Sequence, residues 1–315
     1  MDASLWMWVG FSVFVLVILA FDLGVFHKEQ KTIGETEALK LSGVYFALAM
    51  IFGAGVFWYF GQAKGLEFLT GYVIEWSLSL DNIFVIALIF SAFAVPPQYQ
   101  HRVLFWGILG ALVMRLVMIL AGSALILEFR WIVYVFGGFL VITGVKMLFV
   151  KDGPMDVNDN WVVKYVRRHV PVTENFEGEK FWVRRKGVLF VTPLFLALVM
   201  VEVTDLVFAV DSIPAIFAIT TDPFIVYTSN VFAILGLRSL YFALAGVIRR
   251  FKYLKVGLAF VLVLVGTKMT LVDIWKMPTA LTLGLTVALI GGSILYSLYK
   301  TRPQPALPET TTSVR

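Results

Sequence analysis

The stretch VEVTDLVFAVDSIPA, Val201 to Ala215, puts three carboxylates, Glu202, Asp205 and Asp211, inside a long apolar run. A second apolar run holds EWSLSLDN, Glu75 to Asn82, and repeats the plan: an acid, five residues, an Asp, then Asn or Ser. At a helix centre in lipid each acid costs roughly 2.5–3.5 kcal/mol, so Glu75, Asp81, Glu202, Asp205 and Asp211 together would cost on the order of 12–18 kcal/mol if left alone. They must therefore be paired, protonated or hydrated. With Asn82 and Ser212 they make a donor set of oxygens only. His27, His101 and His169 fall in loops or at span ends, and the sequence has no cysteine. Such a set suits hard cations such as manganese, magnesium or calcium, disfavours copper and zinc, and repels anions.

Helical spacing sets where these groups point. At 3.6 residues per turn Glu75, Ser79 and Asn82 share one face, as do Glu202, Asp205, Ala209 and Ser212. Asp81 and Asp211, six residues beyond the first acid of each pair, lie about 120° around the axis and about 9 Å along it. Pro214 cannot bond to the Val210 carbonyl and clashes with it, so the spacing predicts unwound backbone beside Asp211 and a free carbonyl as a further ligand. Arg115 and Arg238 also fall within apolar segments. Two roles stay open for them: counterions that tie the helices together, or charges that occupy the site when a cation leaves. Lys146 and Lys268 lie close enough to span ends to snorkel.

The elements that carry these groups must cross lipid. Of 315 residues 59% are hydrophobic and 15% charged, and the mean hydropathy is +0.86, far from a soluble domain. Apolar runs long enough to span about 30 Å of hydrocarbon occur near 5–26, 41–60, 68–95, 102–127, 130–150, 188–218, 223–248, 253–275 and 279–299, which predicts nine transmembrane helices in an all-α, polytopic fold. The net charge of +5 does not indicate nucleic acid, because its distribution is topological. With the N-terminus outside, the basic residues concentrate in the inner loops and tail, and only Lys64, Arg130 and Lys276 fall outside. The positive-inside rule then gives N-out, C-in. Trp6, Trp8, Trp58, Trp131 and Trp275 fall near span ends, as interfacial anchors do.

One long loop, 151–187, separates two similar halves. Segments four and seven each place an arginine after ILG, at Arg115 and Arg238, and segments five and eight carry GVKM and GTKM. Segments three to five (about 68–150) and six to eight (about 188–275) therefore read as repeats. An offset of three spans inverts one relative to the other, a construction secondary transporters use to build a midplane site. Helices one, two and nine are then peripheral to a single membrane domain over 1–300, and the Pro- and Thr-rich tail 301–315 reads as disordered.

At FLTGYVIEWSLSLDNIFV, VEVTDLVFAVDSIPAIFAITTDPF and TSNVFAILGLRSLYFALAG the sequence resembles the TerC family of membrane proteins, in its Alx-like manganese-exporter branch. The resemblance covers roughly residues 5–299. It implies a bacterial inner-membrane protein that exports manganese(II), with Glu75, Asp81, Asn82, Glu202, Asp205 and Asp211 essential.

Taken together, the expectation is a secondary transporter, not an enzyme, that takes a hard divalent cation as substrate at Glu75, Asp81, Asn82, Glu202, Asp205, Asp211 and Ser212. Proton exchange fits, because clustered carboxylates must lose protons to take metal. No resident cofactor is expected. The bilayer and the ion are its partners, and the sequence names no protein partner. Two other readings remain: a membrane partner that supplies metal to secreted enzymes, and an intramembrane hydrolase using paired aspartates.

Overall fold

The structure, a computed structural model, describes residues 4–26, 35–129, 131–149, 160–244, 253–275 and 277–300. The tail expected to be disordered, 301–315, lies outside them. The elements in order are α1 (Leu5–Phe26), α2 (Glu35–Phe60), α3 (Gln62–Ala92), α4 (Pro97–Glu128), α5 (Ile132–Phe149), a short α6 (Trp161–His169), the strands β1 (Trp182–Arg185) and β2 (Val188–Val191), then α7 (Pro193–Phe217), α8 (Pro223–Leu235), α9 (Leu237–Leu244), α10 (Leu254–Thr270) and α11 (Thr279–Lys300). Among the described residues seven helical spans are long and apolar enough to cross a membrane, α8 and α9 together counting as one. The nine expected spans are thus met in part: α1 offers the shorter apolar stretch Leu5–Phe21, and α10 has 17 residues.

Several helix starts follow from the sequence. Pro193 and Pro223 occupy first-turn positions, where a missing N–H costs nothing. Thr192 and Asp222 just before them accept bonds from Phe195 N, and from Phe224 N and Ile225 N, so both helices enter capped. The sixth span starts later than its apolar run suggests, because Val188–Val191 form a strand instead. It pairs antiparallel with Trp182–Arg185 across the two-residue turn Lys186–Gly187, whose φ angles of 50° and 84° suit a tight hairpin.

The unwinding expected at Pro214 does not occur. α7 stays helical through it to Phe217. Pro214 removes the one bond that its N–H would make to the Val210 carbonyl, and the remaining bonds keep the helix. The interruption falls at Gly236 instead, where α8 gives way to α9.

At the centre, every residue of α8 from Phe224 to Leu235 is buried. α8 packs on α3, α4 and α2; α7 packs on α4 and α3; α5 pairs with α10; α11 covers α10 and α3. α1 joins through Trp8 and Phe11, whose rings meet Phe224 and Tyr227, with Phe11 also on Phe232. Trp8 is therefore a packing residue as well as an end residue, whereas Trp6, Trp58, Trp131 and Trp275 are exposed.

The two ends of the bundle differ. Where α4 and α7 begin, Arg102 pairs with Glu179 at 3.2 Å and covers Phe181, fastening the segment that carries α6 and the hairpin. We call this the loop end. At the opposite, far end Lys64 of α3 bridges Glu67 at 2.8 Å and Asp222 at 3.4 Å, which joins the start of α3 to the start of α8.

Candidate metal-binding site

The acids of α3 and α7 meet at one side chain on α4. Arg115 is 1% exposed and spends nearly all its donors on three neighbouring helices. Its Nη1 donates to Glu75 Oε1 of α3, to Asn230 Oδ1 of α8 at 2.6 Å and to Ser212 Oγ of α7 at 3.5 Å. Its Nη2 and Nε donate to the two oxygens of Asp205 at 3.1 and 3.4 Å. A buried charge needs such partners, because removing an ion from water costs several kcal/mol. Asn82 completes the ring, its Nδ2 donating to Asp205 Oδ1 at 3.4 Å.

The ring is not saturated. Glu75 Oε2, Ser79 Oγ and Asn82 Oδ1 are buried and have no hydrogen-bond partner. All three lie on the face of α3 that the i, i+4, i+7 spacing defines. Orphaned acceptors are uncommon in native interiors and call for an explanation. Among the described residues no three Asp, Glu or His side chains stand together as a ready metal cluster. The donor set on offer is mixed: two carboxylates, an amide oxygen and hydroxyls, with a guanidinium among them.

A small cleft of about 20 Å³, room for about one water, is lined by Asn82, Thr204, Asp205, Gly107 and Ile234 among others, and these residues step back from Arg115 toward the loop end. Toward the far end the helices close on each other. A Cβ on Gly71 would lie 2.9 Å from Ser229 Oγ, and one on Gly122 would lie 2.7 Å from the Phe217 ring, so α3 meets α8 and α4 meets α7 closely there, and a separate cavity of about 650 Å³ is lined by Ile126, Phe217 and Lys268 among others.

The model of one family of proteins, described as the integral membrane protein TerC family, matches residues 60–305. The chain belongs to the TerC family. It is 53% identical over 299 residues to an "Uncharacterized membrane protein STKORF319" of Myxococcus xanthus, covering 95% of this chain and 94% of that one. It is 48% identical over 295 residues to the "Putative membrane-bound redox modulator Alx" of Escherichia coli (strain K12), covering 90% and 91%, and 47% identical over 293 residues to a protein of that name in Salmonella typhi, covering 90% and 91%. No solved structure matches. As a TerC-family protein with these relatives, it is a multi-pass integral membrane protein of a bacterial kind.

Of the residues that sequence reasoning proposed in this TerC-family chain, Glu75, Asn82, Asp205 and Ser212 gather at Arg115. Glu202 stands one turn of α7 nearer the loop end, close enough to Asp205 to act on it electrostatically. Its carboxylate lies against Gly110 of α4, where a Cβ would overlap it. Asp211 does not join the ring. Its side chain bonds to Thr143 and faces Lys146, both on α5. The reason is the 120° rotation between positions six apart, which an intact helix at Pro214 leaves uncorrected. Asp81 lies on α3, and its side chain is outside the described residues. Of the two arginines, Arg115 is the counterion expected, while Arg238 is buried on α9. The spacing arguments missed Asn230. Its signal was available: Thr228, Ser229 and Asn230 form a polar triplet inside an apolar span, and all three are fully buried, which marks an intramembrane polar group with a partner.

Proposed function

We propose that the chain is a secondary transporter of a hard divalent cation. The observation that carries this reading is the row of unpartnered, buried oxygens of Glu75, Ser79 and Asn82 beside the Asp205 carboxylate, which lines a small cleft with Asn82. A purely structural arginine–acid knot has no use for three spare acceptors, whereas a cation that sheds its water needs them. The ion is manganese(II) by the resemblance to the exporter branch, and export, with the loop end cytoplasmic, follows from that resemblance and from the basic residues of the loop.

Inverted repeats supply the means of alternating access. Two residues of the shared G-[VT]-K-M signature support them. A Cβ on Gly144 would meet Ala259, Leu262 and Val263, and one on Gly266 would meet Gly137, Leu140 and Val141. Gly144 and Gly266, Gly137 and Ala259, Leu140 and Leu262, and Val141 and Val263 are each 122 positions apart. Exchanging the halves thus maps the α5–α10 contact onto itself, as a two-fold axis requires. The matching of the α3–α8 contact by an α7–α4 contact supports the same axis.

Redox modulation, which the names of two relatives carry, is a second reading. With no cysteine in the sequence thiol–disulfide exchange is excluded, so a redox effect would act through the metal the protein moves. An aspartyl hydrolase needs two facing Asp carboxylates. Asp205 and Asp211 lie on different sides of α7, and no other such pair occurs among the described residues. Supply of metal to a secreted enzyme would require a docked partner and little flux by the chain alone. The test is Mn²⁺ uptake by proteoliposomes holding the purified protein. Flux is expected, with Glu75→Gln and Asp205→Asn each lowering it at least about tenfold, the scale of one lost charged contact. Wild-type rates in both variants would overturn the reading.

A further inference from the structure

The same arginine that ties the helices together holds the carboxylates a cation would need. Arg115 holds Glu75 Oε1 and both oxygens of Asp205, so an ion that takes both carboxylates must displace the guanidinium from Asp205. A side chain on a helix leans toward the helix N-terminus, which for α4 is the loop end. In that direction the α4 surface is small: Ala111, Gly110 and Gly107, with Gly107 and Ala111 lining the cleft. One turn along α7 the same path meets a second carboxylate, Glu202, packed on Gly110 and adjacent to Asp205, which Arg115 already holds.

We propose that Arg115 is a tethered cation that offsets one of the two negative charges of the empty site and swings about one turn to Glu202 when a divalent ion takes Glu75 and Asp205. This inference rests on the transport reading above. The single positive charge of Arg115 is placed differently in the two states. Empty, Glu75 and Asp205 share the single positive charge of Arg115, with Glu202 facing the cleft. Loaded, the divalent ion neutralises Glu75 and Asp205, and Arg115 neutralises Glu202. Glu202 is then the resting place of the guanidinium and not a ligand of the ion. The tether also bears on how an unloaded carrier can reorient: with Arg115 held, Glu75 and Asp205 carry one net negative charge between them instead of two.

The experiment compares two modes in proteoliposomes, net Mn²⁺ flux into metal-free lumen and isotopic Mn²⁺–Mn²⁺ exchange. Net flux requires the empty carrier to return and exchange does not. In Arg115→Gln the ratio of exchange to net flux rises about tenfold, a typical coupling between sites, and Arg115→Lys, which keeps the charge, brings the ratio back toward wild type. Glu202→Gln removes the resting place, so the Mn²⁺ concentration for half-maximal exchange rises about tenfold when Arg115 is present and is unshifted in the Arg115→Gln background. An unchanged ratio in Arg115→Gln, or an equal effect of Glu202→Gln in both backgrounds, overturns the proposal. If Arg115→Gln does not fold, Arg115→Lys with Glu202→Gln carries the test: the affinity shift of Glu202→Gln must appear with either cation, and its absence refutes the tether. Absence of both modes in the wild type refutes the transport reading instead.

Discussion

Removing Glu75 and Arg115 singly and together should give a strongly non-additive result. Both side chains are 1% exposed, so the pair sits where an unmatched charge is most costly. In Glu75→Gln the guanidinium keeps Asp205 and Asn230, and the loss is that of one charged hydrogen bond, about 1.5–3 kcal/mol. In Arg115→Gln two carboxylates lose their shared partner, and breaking a buried pair in this way costs about 3–5 kcal/mol. Additivity would put the double variant at about 4.5–8 kcal/mol. Because the second change removes one of the two stranded acids, the double variant is expected near 2–4 kcal/mol, a coupling of at least about 2 kcal/mol. Reversible unfolding in mixed micelles, with the metal chelated, measures all four corners of the cycle. Additivity within about 0.5 kcal/mol, the norm for independent sites, would mean that Glu75 and Arg115 do not share one charge balance, and the ring around Arg115 would have to be abandoned.

Further tests address other parts of the structure. Asp205→Asn should abolish stabilisation of the protein by Mn²⁺ in a thermal melt while Asp211→Asn retains it, since Asp211 faces α5; equal loss in both would bring Asp211 back into the site. Gly144→Ala and Gly266→Ala put a methyl 2.7 Å from a backbone oxygen, of Ala259 and of Gly137 respectively, so each should cost about 1–3 kcal/mol of stability as an overpacking change. Unequal costs, one negligible, would count against the repeat axis. The natural absence of cysteine makes single-cysteine labelling direct: Thr204→Cys should react with a membrane-impermeant thiol reagent from the loop end only, and Ser229→Cys from neither side.

Much of this was legible in residue order. The 3.6 period put Glu75, Ser79 and Asn82 on one face, and all three are buried; the shared acid–Asp spacing, the ILG arginines and the G-[VT]-K-M pair are the basis of the proposed repeat. The same period already put Asp81 and Asp211 on another face, and only the assumed opening at Pro214 brought Asp211 back. A proline removes one bond of the preceding turn, and here the helix runs through it to Phe217. The strand at Val188–Val191 was illegible because a short apolar run next to a helical one has no period of its own, and its hairpin is set by the turn at Lys186–Gly187. Asn230 went unnoticed because no counterpart in the other half called attention to it. That one guanidinium would take both carboxylates could not be read from spacing, since it depends on how α3, α4, α7 and α8 meet in space.

The most direct test is a structure of the protein soaked in Mn²⁺ with anomalous scattering recorded. The account predicts a single strong peak bounded by Glu75, Ser79, Asn82 and Asp205, with the Arg115 guanidinium moved to Glu202. A peak elsewhere, or none while Arg115 still holds Glu75 and Asp205 in protein that moves the ion, would contradict it.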